Sequence, residues 1–165
     1  MNDADHIAAR ELQERLHREA AHLDDGDYEA WLAMLHPEIE YIAPVRQDLA
    51  PVRTAPEAAH EHRLAFFTES IMTLHGRVAK LRTGMMQTEV PPSRVVRLIS
   101  NILVDPEDAS GQRPVRSVFL VHRQHRQRSI ETLAGSRRDH WVHDDQGWRL
   151  RRREILFAAN VLPVG

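Results

Sequence analysis

Two consecutive prolines, Pro91 and Pro92, divide this chain into two kinds of sequence. Proline lacks a backbone donor, fixes its own φ and pushes the residue before it toward extended geometry, so no helix runs through the pair. Upstream, RVAKLRTG (77–84) reads as the end of a helix. Arg77, Lys80 and Arg82 lie near the negative pole of its dipole, and Gly84 supplies a left-handed C-cap. Downstream, SRVVRLISNILV (93–104) is β-branched and apolar and reads as a long strand. Most of the chain before the prolines has helical pattern; most of the chain after them has the pattern of sheet.

Before the divide, Leu12, Leu16, Ala20 and Leu23, with Ile7 near the same stripe, predict an amphipathic helix over 4–23. The DDGD sequence at 24–27 ends it and offers Asp25 or Asp27 as the next N-cap. Tyr28, Trp31, Leu32 and Leu35 share one face of a short second helix that stops at His36-Pro37. Glu38 to Ala43 alternates as a first strand, stopped by Pro44. Residues 44–60, with prolines at 44, 51 and 56, read as a long surface loop. Leu64, Phe67, Ile71, Leu74, Val78 and Leu81 then repeat at three- and four-residue steps, which predicts one helix with a single buried seam. Thr54 with Glu57 is a candidate capping box for it, and Thr68 a candidate cap for a shorter version.

After the divide, three more strands succeed the first. One is centred on Val115–His122. The next runs over Ser129–Val142 with a bulge or bend expected at Gly135, and the third is WRLRRREILFAA, entered from the turn Asp144–Gly147. Strict alternation places Trp148, Leu150, Arg152, Glu154 and Leu156 on one face of that strand. Helices first and consecutive long strands afterwards define an α+β class with a mostly antiparallel sheet, expected as a single domain over 1–165.

Composition excludes several chemistries. There is no cysteine, so disulfides, thiolate catalysis and every cysteine-ligated iron–sulfur centre are impossible in this chain. The net charge of -2 gives no reason to expect nucleic acid or an anionic membrane as partner. No apolar run approaches a membrane span and MNDADHIAAR is too polar for a signal peptide, so a cytoplasmic protein is expected. Lys80 is the single lysine among the 22 basic Lys and Arg residues. Arginine makes planar, two-pronged contacts, so this bias suggests ion-pair networks or subunit contacts, although skewed codon usage produces the same imbalance.

Several segments, taken together and in order, resemble a known family. They are AHLDDGDYEAWLAML (21–35) with Glu40-Tyr41, RVAKLRTG, PPSRVVRLISN (91–101), SRRDHWV (136–142) and DQGWRLRRREILF (145–157). The chain resembles the small (beta) subunit of aromatic-ring-hydroxylating, Rieske non-haem iron dioxygenases. The resemblance implies a cone-shaped fold similar to nuclear transport factor 2 and scytalone dehydratase, with a curved sheet wrapped against helices. It also implies no cofactor, metal or catalytic residue in this chain. The Rieske [2Fe-2S] cluster and mononuclear iron are then expected in a large alpha subunit, in an assembly of three alpha and three beta subunits with beta–beta trimer contacts. Ferredoxin and reductase are the implied electron donors, and bacterial catabolism of aromatic compounds the implied setting. Two stretches depart from the family pattern: Phe157-Ala158-Ala159-Asn160, where an acidic residue is expected, and Arg46 to Arg63.

Seven residues are expected to carry structure or subunit contact: Arg94, Arg97, Asn101, Arg137, Asp139, Trp148 and Arg152. Period two puts Arg97 and Asn101 on one face of their strand and Arg94 on the other. Asp139 is expected to pair with an arginine such as Arg137 or Arg152. The rival reading is a stand-alone dehydratase or isomerase, or a small-molecule-binding protein, in which Tyr41, Asp139, His140 and His122 line a pocket for acid–base chemistry. Glu14, His17 and His22 have a loosely metal-like spacing. On a helix, however, residues five apart point roughly 140° away from each other and do not converge on one ion. The pairs His60 and His62, His122 and His125, and His140 and His143 each lack a third ligand.

Overall fold

The computed structural model describes residues 3–45, 65–83, 94–125 and 129–158, apart from the side chains of His125 and Ser129. Helix α1 (Asp3–Asp25) carries Asp3 and Asp5 in its first turn, where carboxylates favour the positive end of the dipole. Its buried seam is Ala8, Leu12, Leu16 and Glu19. Ile7, expected on that seam, is 61% exposed, and a glutamate completes it instead. Helix α2 (Tyr28–Ala33) begins where the Asp27 carboxylate accepts the Ala30 N–H at 3.2 Å.

Strand β1 (Leu35–Pro44) starts earlier than the alternation at 38–43 suggested and includes Pro44. Strand β2 (Ala65–Glu69) corrects the long-helix expectation: Phe67 pairs with Ala43 and Thr68 with Ile42 in an antiparallel ladder. The three- and four-residue spacing continued into these residues by coincidence, and cross-strand pairing decided their structure. Helix α3 (Ile71–Arg82) begins at a Ser70–Thr73 capping box, so Thr68 caps nothing. Leu64, Thr54, Glu57, the loop at 46–60, Gly84 and the Pro91-Pro92 pair lie outside the described residues. Thr83, in ordinary helical conformation, is the C-cap of α3.

Four long strands complete the chain: β3 (Arg94–Val104), β4 (Arg113–His125), β5 (Ser129–Asp144) and β6 (Gly147–Phe157). The six strands form one sheet in the order β2-β1-β6-β5-β4-β3. Every neighbour is antiparallel except β1 with β6, so the architecture is the α+β one expected. The helices pack on one face, α1 against β3 and α3 against β1. Between them lies a core of Leu12, Leu16, Trp31, Leu35, Trp141 and Leu150, with a second cluster around Ala43, Phe119, Ile155 and Phe157.

Two inserted residues set which side chains enter that core. In β6, Leu150 stands opposite Trp141 and Arg152 opposite His140, leaving Arg151 as an extra residue. The alternation therefore switches face there: Trp148 and Leu150 are buried, then Arg153, Ile155 and Phe157. In β3, Asn101 has φ 51 and the pairing shifts between Ser100 and Leu103. Asparagine is among the few residues that tolerate this left-handed geometry. No bulge occurs at Gly135, which stands opposite Phe119 and Phe157 in unbroken register. A Cβ there would run into the Leu156 carbonyl and lie 2.8 Å from the Phe119 ring, so glycine is needed for space rather than for a bend.

Candidate functional site

The helix-facing side of the sheet carries a cluster of charge. Arg153, with no exposed side-chain surface, holds Asp139 in a two-pronged grip, Nε to Oδ1 at 2.8 Å and Nη2 to Oδ2 at 2.6 Å. Its remaining terminal nitrogen, Nη1, donates to Glu19 of α1. Glu19 Oε1 also accepts Trp31 Nε1 at 3.3 Å, and Oε2 accepts Arg137 Nη1 at 3.3 Å. Arg137 Nε donates to Ser117 Oγ at 3.3 Å. The Tyr41 ring lies under Arg153, 5.5 Å from its guanidinium carbon, and stacks on Phe67. Two guanidiniums face two carboxylates, so the buried charge balances.

That balance governs protonation. Burial raises the Glu19 carboxyl, but the charges of Arg153 and Arg137, with hydrogen bonds from Arg153 and Trp31, outweigh it and hold the group at about 2. Burial lowers Arg153; the Asp139 and Glu19 charges reverse this and leave it well above its ordinary value. For Arg137, burial and then the Arg153 charge win, and its affinity for the proton falls. Both arginines remain cations at any ordinary pH. Arg137 Nη2 is buried without a hydrogen-bond partner.

The sequence-predicted residues divide by depth. Arg137 and Asp139 are in the network. Asp139 pairs with Arg153 rather than with Arg137 or Arg152, because the extra residue in β6 turns Arg152 outward to Glu40 at 2.8 Å. Trp148 is buried, donating Nε1 to Glu11 of α1 at 2.9 Å beneath the Arg113 guanidinium. Arg97 donates its backbone N–H to Asp24 at 2.9 Å and its guanidinium to the same carboxylate, fastening β3 to the end of α1. Arg97 and Asn101 do not share a face: the insertion leaves Asn101 exposed and returns Ile102 to the helix side. Arg94 is exposed on the outer face.

Tyr41 and Asp139 approach the same arginine, but His140 and His122, at even positions of β5 and β4, lie on the opposite face from Asp139. His122 Nδ1 meets Thr132 Oγ1 there at 3.2 Å. The four side chains do not converge. Glu14 pairs with Arg18 and His22 with Asp27, and among the described residues no three His, Asp or Glu side chains gather around one point. His60 and His62 lie outside the described residues. Glu19 and Arg153 are the network members that sequence reasoning missed. The signal for Glu19 was its place on the Ala8–Leu12–Leu16 seam, where a carboxylate needs a buried cation.

The model of the family described as ring hydroxylating beta subunit matches residues 18–164. This chain belongs to that family. It is 30% identical over 154 residues to the benzene 1,2-dioxygenase subunit beta of Pseudomonas putida, covering 92% of this chain and 82% of the relative. The biphenyl 2,3-dioxygenase subunit beta of Rhodococcus jostii (strain RHA1) is 29% identical with the same coverage. Among solved structures, naphthalene 1,2-dioxygenase with indole bound matches at TM-score 0.80 and 22% identity, over 98% of this chain and 83% of that one. A candidate scytalone dehydratase from Novosphingobium aromaticivorans DSM 12444 matches at TM-score 0.68 and 18% identity, over 96% and 89%. These likenesses place the fold with the scytalone-dehydratase-like cones.

In this ring-hydroxylating beta subunit the outer face of the sheet differs from the inner one. Val96 and Leu98 of β3 are 55% and 60% exposed, and Val118 of β4 stands beside Ser100 and Ser136. No described helix is long and apolar enough to cross a membrane. As a member of a beta-subunit family, the chain has an alpha subunit as its partner in a hetero-oligomer.

Proposed function

We propose that this chain is the structural, non-catalytic beta subunit of a multicomponent aromatic-ring-hydroxylating dioxygenase acting in bacterial catabolism of aromatic compounds. The family match over residues 18–164 of a chain without a single cysteine carries this reading. A Rieske cluster needs two cysteine thiolates, so the residues present do not fit it. The cluster and the mononuclear iron belong to the alpha subunit. Electrons reach that subunit from a reductase through a ferredoxin, and the alpha subunit selects the ring to be hydroxylated. The named relatives, which act on benzene and biphenyl, support an aromatic hydrocarbon as the substrate class.

The role of this chain is then mechanical. Its single domain folds around the Glu19–Arg153–Asp139–Arg137 network, which fixes α1 against β5 and β6 and so fixes the surfaces offered to other subunits. Exposed Arg94, Asn101 and Arg152 are candidates for contacts with those subunits, while Arg97, Arg137, Asp139 and Trp148 act from inside the domain. We infer three alpha and three beta subunits in the cytoplasm.

Co-expression with a cognate alpha subunit, followed by size-exclusion chromatography and iron analysis, tests the reading. The expected result is one iron-containing complex holding both chains. Persistent elution of this chain apart from iron would sink it. A turnover activity of the isolated chain that Asp139→Asn abolishes would favour the dehydratase or isomerase reading instead.

A further inference from the structure

A cavity of about 370 Å³ lies between α1 and the hairpin that joins β5 to β6. The helix contributes Glu11, Glu14, Arg15 and Arg18, whose spacing of three and four positions sets them on one face. The hairpin contributes Gly147 and the facing pair His143 and Trp148. None of the four residues of the buried ion network lines this cavity.

Its polar groups are unequally matched. Glu11 Oε2 accepts Trp148 Nε1 at 2.9 Å, and the Glu14 carboxylate accepts from Arg18. Arg15 is different. Its side chain is half-buried, with a terminal nitrogen so close to Gly147 that a Cβ there would lie 3.1 Å from it. Among the described residues no carboxylate stands within ion-pair distance of this guanidinium. Arginine presents five donors in a planar fork, so a half-buried one without an acceptor suits a planar anion with two oxygens.

The facing wall selects the rest of the ligand. The exposed His143 ring stands edge-on to the Trp148 indole, their centroids 5.0 Å apart, so two rings border the cavity that holds the unanswered fork. Charge decides between anions. Glu11 and Glu14 balance Arg15 and Arg18, so a doubly charged ion such as phosphate meets two like charges with no surplus of cations to offset them. A single negative charge on a flat apolar body matches the fork and the rings together.

We propose that this cavity binds a small aryl carboxylate, its two oxygens gripped by Arg15 and its ring laid against His143 and Trp148. Because every residue of the site belongs to this chain, the isolated full chain carries all of it.

Isothermal titration calorimetry of that chain with phenylacetate, phenylacetamide and acetate tests the proposal. The first carries ring and charge, the second the ring alone and the third the charge alone. Phenylacetate is expected to bind, with the other two at least about tenfold weaker. Arg15→Gln weakens phenylacetate by at least about tenfold through loss of the charge-assisted pair. Arg10→Gln, an equal loss of charge at an exposed position of α1 outside the cavity, leaves binding unchanged. His143→Ala, also at an exposed position, weakens phenylacetate but not acetate, which keeps the test decisive if Arg15→Gln disturbs the helix. No binding of phenylacetate, equal binding of phenylacetamide, or binding that neither Arg15→Gln nor His143→Ala changes overturns the proposal. So does binding that is lost in the complex with the alpha subunit while Arg15→Gln blocks co-purification. The guanidinium is then reserved for a carboxylate of that subunit, and the functional reading stands.

Discussion

Arg153 and Asp139, fourteen positions apart on neighbouring strands, form a fully buried two-pronged ion pair, and Glu19 of the first helix completes it from above. Desolvating three charges costs several kcal/mol per ion, recovered only while every partner is present. Removing one partner is therefore worse than never having had the pair. Asp139→Asn or Glu19→Gln lowers stability by about 3–5 kcal/mol, measured by urea denaturation of the isolated chain. A loss below about 1 kcal/mol would show that water, not Glu19 and Asp139, satisfies the arginines.

The same cluster sets the acid limit. Glu19 is held at about 2 against an ordinary value of 4.5, a depressed carboxylate. The unfolded chain binds the proton first, so the contribution is complete above about pH 5 and is lost as pH falls toward 2. Two and a half units correspond to roughly 3 kcal/mol. Stability measured at pH 6 and pH 3 falls steeply in the wild type and more shallowly in Glu19→Gln. Equal slopes would contradict the assignment.

Gly135 is fixed by space. In Gly135→Ala the new methyl meets the Leu156 carbonyl, a backbone atom that cannot swing aside, as well as the Phe119 ring. Overpacking of this kind costs about 1–3 kcal/mol. Pairing the substitution with Phe119→Leu relieves the ring contact alone, so thermal denaturation of the double variant recovers only part of the loss.

Asn101 sits at φ 51, where glycine is at ease and β-branched residues are strained. Asn101→Gly leaves stability within about 0.5 kcal/mol of wild type, whereas Asn101→Val costs roughly 1–2 kcal/mol. Because the side chain is exposed, the difference reports backbone conformation rather than packing. Equal melting temperatures for the two variants would mean that the insertion is absent in solution.

The long strands and the body of α3 were legible because their periodicity is sustained over many residues. The errors cluster where one residue changes the count. Arg151 adds a residue to β6, and alternation carried past it puts Arg152 on the face of Trp148 and Leu150 and Arg153 on the other, the reverse of what the pairing enforces. Asn101 did the same to β3, although asparagine within a strand was itself a hint. Strand β2 was hidden because Phe67 continued a helical spacing for one turn, and only the long-range ladder with β1 overrode it. The polar interior was half visible. Asp139 is expected from sequence to need an arginine; Glu19 lies on a helix full of charged residues, and its burial follows from its place on the apolar seam against Trp31 and Arg153.

The single parallel pairing has a consequence for biosynthesis. Strand β1 emerges early, yet one of its two neighbours is β6, with Leu35 beside Leu150, and Glu19 waits for Arg153, 134 positions later. A ribosome must therefore deliver almost the whole domain before its first strand has both neighbours or Glu19 both of its arginines. A nascent chain halted before Gly147 would expose the Leu35 edge and leave Glu19 with Arg137 but without Arg153, and would be cut rapidly by protease. Assembly with other subunits can begin only after translation of this domain is nearly finished, which makes its last strand the step that releases a competent subunit.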